Sequence, residues 1–186
     1  MHDNGTIHIG ERVADQTEPA RRLSTIHGDD QIVSRAIGVS NHALLRRLQR
    51  AGFTPETIGL LELAPLIEIA WADGAVSERQ RRLIFQIATR EAITEDTSAY
   101  DRLVAWLERR PSNDVFDVSL LAIRAKLHSL EPEVHSMLHR RFIGDCTAVS
   151  LAADSALADH KISLDEGRVL ARILMALRPG RHVFDT

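Results

Sequence analysis

The order of residues around Asp73 occurs twice in this chain, and that repeat constrains the fold more than any other feature. Leu66 to Ala72 is apolar apart from Glu68 and ends on Asp73-Gly74; after a break at Ala75 and Val76, Ser77-Glu78-Arg79-Gln80 opens a second amphipathic run. Ala156-Leu157-Ala158-Asp159-His160-Lys161-Ile162-Ser163-Leu164-Asp165-Glu166 follows the same order 86 residues later, counting from Asp73 to Asp159. Asp73 then aligns with Asp159, Val76 with Ile162, Ser77 with Ser163 and Gln80 with Glu166. A helix, a tight turn and a second helix, written twice, predict two helical hairpins within one bundle.

The rest of the chain agrees with helices. Asn41 or Ser40 can cap a helix in which Leu44, Leu45, Leu48 and Ala51 face inward and Arg46, Arg47 and Arg50 face water, with Gly52 as its left-handed stop. Thr54-Pro55-Glu56 is a further start signal, and Pro65 predicts a kink or restart near Ala64, because its ring clashes with the carbonyl of Leu61. Ser77 caps a helix with Leu83, Ile84, Ile87 and Ala88 inside and Arg79, Arg81, Arg82 and Arg90 outside. Helices are expected over about Thr97–Arg109 and Asn113–Ser129, from Pro132 to Ala158, and from Ser163 to a stop at Pro179-Gly180. Short links make successive helices antiparallel neighbours. The expectation is therefore an all-α bundle of six or seven helices over residues 39–180.

Residues 1–38 read differently. Gly5, Gly10, Pro19 and Gly28 are scattered among short apolar patches with no sustained period, which predicts a poorly ordered arm. Within it, Thr6-Ile7-His8-Ile9 has the composition of a short strand, and Gln31 to Ile37 that of a helical turn. Pairing of this arm with a second copy is one route to a homo-oligomer.

Composition limits the function classes. With 186 residues and 44% hydrophobic content, the chain can build a core. Its net charge of −3 is mild and both signs are interspersed, so nucleic acid is not an expected partner. Cys146, the single cysteine, excludes an intramolecular disulfide, and the first residues lack the basic and apolar segments of a signal peptide; a cytoplasmic location is the expectation. The most apolar stretch, Ile58 to Ala72, is interrupted by Glu62, Pro65 and Glu68 and falls short of the ~20 apolar residues that a bilayer requires.

The string Ala70-Trp71-Ala72-Asp73-Gly74-Ala75-Val76-Ser77, with its echo at Ala156 to Glu166, resembles the tellurite-resistance TerB-like domain over roughly residues 40–178. That resemblance implies an all-helical fold of two pseudo-repeated halves and a non-catalytic role as a scaffold or sensor in stress responses, working through a protein partner. It also implies acidic residues that meet a divalent cation. The positions matching its acidic pattern are Asp73, Asp159 and Glu166, with Glu68 and Asp154 beside them. Two residues depart from the pattern: Gln80 stands where a glutamate is expected and His160 where a glycine is expected. The first removes a charge, and the second adds an imidazole.

Elementary helix chemistry offers a competing role for the same residues. Ser77 with Gln80, and Ser163 with Glu166, are capping boxes, worth about 0.5–2 kcal/mol each. Asp73 can tie its turn and Gly74 can supply a positive φ. A calcium loop fails on paper: with Asp73-Gly74 at positions five and six, positions one, three and twelve become Ile69, Trp71 and Gln80; in the second copy Glu166 fits position twelve but Leu157 occupies position three. A cation would need carboxylates from both repeats.

Other constellations are incomplete. His135 and His139 share a helical face, with His128 and Cys146 each seven residues beyond, a donor set that suits zinc; but Pro132 separates His128 from the helix, the glutamate of a His-Glu-x-x-His motif is missing, and Cys146 reads as a core residue. Serine elbows, cysteine-nucleophile signatures and phosphate loops are absent from the sequence. The enzymatic alternative is a small carboxylate metalloenzyme or hydrolase using Glu68, Asp154 and His160, which requires those side chains to converge. Glu62, Glu68 and Asp154, if buried, must be paired or coordinate something.

Overall fold

A computed structural model of the chain describes residues 31–153 and 162–178, and every regular element among them is helical. The order is α1 (31–37), α2 (His42–Arg50), a 3-10 segment (Ile58–Leu61), α3 (Ala64–Ala70), α4 (Glu78–Arg90), α5 (Ser98–Glu108), α6 (Asn113–His128), α7 (Pro132–Leu151) and α8 (Leu164–Ala176). The all-α expectation holds with more pieces than six or seven, for two reasons. Residues 31–37, at the inner end of the expected arm, are helical and send Val33 and Ile37, each 2% exposed, into the common core. Pro65, at the first turn of α3, separates that helix from the 3-10 segment, as its missing N–H and locked φ dictate. The Thr6–Ile9 fragment lies outside the described residues.

Local chemistry sets the helix ends. The Asn41 side chain accepts from the backbone N–H groups of Ala43 and Leu44, at 3.0 and 3.1 Å, and starts α2. Gly52, with φ +86, ends it: its N–H reaches Gln49 O and that of Phe53 reaches Leu48 O, the double bond of a Schellman turn. Arg102 of α5 donates to the carbonyls of Ala51 and Gly52, placing a cation on the negative end of α2. Its guanidinium also lies 5.2 Å over the Trp106 ring.

α3 is the axis of the molecule. All seven of its residues are buried, Glu68 included, and it packs against α4, α6, α7 and α8. A helix apolar on every side can persist in water only when other helices enclose it. Trp71 at its end donates from Nε1 to Trp106 O at 2.9 Å, anchoring the turn that leads to α4. No helix among the described residues is long and apolar enough to cross a membrane.

Candidate functional site

The starts of α4 and α8 and the end of α7 meet at one place. Ser77 accepts from Gln80 N at 3.2 Å while Gln80 Oε1 accepts from Ser77 N at 3.0 Å. Ser163 accepts from Glu166 N at 3.1 Å while Glu166 Oε2 accepts from Ser163 N, also at 3.1 Å. Both capping boxes are therefore closed. They are also closed on each other, since Gln80 Nε2 donates to Glu166 Oε1 at 2.8 Å. These two side chains are 2% and 1% exposed, so the bond is shielded from water.

The same residues receive the end of α7. Gln80 Nε2 lies 3.4 Å from Val149 O, and Ser77 Oγ donates to Ala152 O at 3.4 Å. Two positive helix starts thus face one negative helix end, and side chains add hydrogen bonds to carbonyls beyond the regular i to i+4 pattern of α7. This accounts for a difference from the sequence expectation. α7 stops at Leu151, with Ala152 as its cap, and does not reach Ala158. The alanine-rich sequence has no glycine or proline to mark that stop; the mark comes from α4.

Burial raises the Glu166 carboxyl above its ordinary range, the nearby Asp73 charge adds to this, and the hydrogen bonds from Ser163 and Gln80 oppose it. Asp73 sits outside the buried pair, exposed, and its Oδ1 accepts from Ser163 Oγ at 2.6 Å. The turn between α3 and α4 is thereby tied to the start of α8. Of the other positions matching the acidic pattern, Asp159 and Asp154 lie outside the described residues, as does His160.

Glu68 is elsewhere, on α3, where it is 7% exposed and bonded to Arg172 Nη2 of α8. Arg172 Nη1 meanwhile holds Asp117 of α6 at 2.9 Å, making a bridge across three helices. Burial still raises the Glu68 carboxyl, against the opposing pull of Arg172. Glu62 likewise has partners, Lys126 Nζ at 2.6 Å and Arg141 at 3.6 Å. Neither carboxylate is left as an isolated buried charge.

Cys146 is fully buried, and burial pushes its thiol far up, away from the thiolate that a nucleophile or metal ligand requires. His128, by contrast, returns to His135 across the turn at Ser129–Glu131, with ring centroids 6.5 Å apart. Among the described residues no group of three or more His, Cys, Asp or Glu side chains stands as a ready metal cluster.

Sequence reasoning found both capping boxes through their Ser-x-x-Gln and Ser-x-x-Glu spacing. It missed the contact between them, and the signal for it was the repeat itself: Gln80 and Glu166 are equivalent positions, and they touch. Arg172 was missed outright, since nothing local couples it to a glutamate 104 residues away. No protein-family model, curated protein or solved structure matches this chain.

Proposed function

We propose that this chain is a non-catalytic, TerB-like stress-response module, built from two repeated helical hairpins, that senses a divalent cation and acts through a protein partner. The observation that carries the reading is the Gln80–Glu166 hydrogen bond, because it joins equivalent residues of the repeat. Contact between equivalent residues is what two halves that face each other would produce.

That bond also bears on where we assign the cation. Two glutamates at this depth would need a shared proton or a cation between them. Here the Gln80 amide supplies a donor in that place, and both Glu166 oxygens are engaged, with Gln80 Nε2 and with Ser163 N. We therefore assign the cation to Asp73, at the rim with Glu166 behind it, and to Asp159, its counterpart in the sequence repeat; hard oxygen ligands of this kind suit calcium, magnesium or manganese. Glu68 is bound to Arg172 and supports the core. For the partner surface we assign the exposed face of α2 with Arg46 and Arg50. The arginines on α4 serve it less well, since Arg81 donates to Leu107 O and Arg82 to Glu78 O.

The test is thermal unfolding with calcium, magnesium or manganese, on the natural chain and on Asp73→Ala combined with Asp159→Ala. A rise in Tm that the double variant loses supports the assignment. No rise with any of the three ions overturns the sensing role.

A further inference from the structure

The three imidazoles at the joint of α6 and α7 have no part in that reading. His135 and His139 lie one turn apart on α7, with rings stacked at 5.9 Å and only 13° between their planes. His128, the last residue of α6, closes the row with its ring 6.5 Å from that of His135 and 75° to it. We propose that His135 and His139, joined by His128, bind a divalent transition-metal ion of the kind that prefers imidazole: zinc, nickel or copper.

Two features of the row point to a ligand. His128 Nδ1 lies 2.8 Å from the Arg124 carbonyl, which can only accept, so Nδ1 is the donor and Nε2 is the nitrogen left to carry the lone pair of the neutral ring. Ligating histidines are held in this way, one ring nitrogen donating to a backbone carbonyl while the other faces the metal. His139 Nε2 is closed off from solvent and has no hydrogen-bond partner. A buried ring nitrogen with nothing to bond is costly in the metal-free chain, and coordination removes that cost.

The rings stand side by side and not around one point, so loading requires them to turn about their side-chain torsions. Two histidines one helical turn apart form the chelate, His128 adds the third nitrogen, and the open position takes water. Cys146, seven residues from His139, is excluded, because its thiol stays protonated in the core.

The test is calorimetric titration of the metal-stripped full chain with zinc chloride and with nickel chloride at pH 7. Histidine ring nitrogen resonances are followed in parallel. One ion per chain is expected, with perturbed resonances for His128, His135 and His139. His135→Gln and His139→Gln should each weaken binding by about tenfold or more, and His128→Gln by less. Cys146→Ala and Asp73→Ala should leave it unchanged, which separates this site from the carboxylate rim. If His139→Gln unfolds by circular dichroism, the half-buried His135→Gln decides alone. Undiminished binding in the His135→Gln variant, or no binding by the natural chain at about 1 mM ion, would overturn the proposal.

Discussion

The starts of α4 and α8 use the same four-residue device at the same depth and differ in one chemical group, an amide at Gln80 and a carboxylate at Glu166. Each residue uses one oxygen to accept from the backbone of its own serine. The remaining group is where they part: the amide nitrogen of Gln80 donates, and the second oxygen of Glu166 accepts. Two carboxylates here would repel, and two amides would place a donor against the Ser163 N–H. The difference between the two starts is thus what lets them meet as donor and acceptor.

The comparison breaks most severely if the two starts are made alike. Gln80→Glu buries a second carboxylate against the first, and should lower stability by about 3 kcal/mol at pH 7 in denaturant unfolding, with part of the loss recovered at low pH, where the pair can share a proton. Removing the serines sharpens the contrast. Ser163→Ala loses both the cap and the bond to Asp73, and should cost about 2 kcal/mol, whereas Ser77→Ala loses the cap and a longer contact to Ala152 O and should cost about 1 kcal/mol. Equal costs would show that the Ser163–Asp73 bond contributes nothing.

A smaller effect lies at the other end of α4. Ala92 takes a φ of 59° there, with its N–H on Thr89 O and that of Ile93 on Ala88 O, the arrangement for which α2 uses Gly52. Ala92→Gly should raise stability by about 0.5–1 kcal/mol, relief of the left-handed strain exceeding the added freedom of the unfolded chain.

The most subtle effect is a slope. Because burial raises the Glu166 carboxyl above its ordinary value of 4.5, the folded state holds that proton more tightly than the unfolded state does. Its contribution to stability is therefore greatest below 4.5 and declines as pH rises through the interval between 4.5 and the folded value. Glu68 has the same sign. Glu166→Gln should flatten this decline, as read from urea midpoints across pH 4–8.

Helix content was legible because the determinants are local: Asn41, Gly52, Pro65, Ser77 and Ser163 each act within a few residues of themselves. The two stops that escaped notice depend on tertiary contact or on an unusual residue. α7 ends where Ser77 and Gln80 meet its carbonyls, and α4 ends on an alanine in a glycine's conformation. The candidate site was legible as a set of caps and invisible as a junction, because the approach of α4 to α8 is set by packing around α3. Pro132 does separate His128 from α7, which begins at that proline, and the three-residue turn still brings the His128 and His135 rings within 6.5 Å.

The central claim is that Gln80 and Glu166 act on each other and are not two independent caps. A double-mutant cycle with Gln80→Met, Glu166→Met and the pair, by denaturant unfolding at pH 7, measures that directly. A coupling of about 1.5–3 kcal/mol is expected for a buried hydrogen bond to a charged group. Additivity within about 0.4 kcal/mol would contradict it.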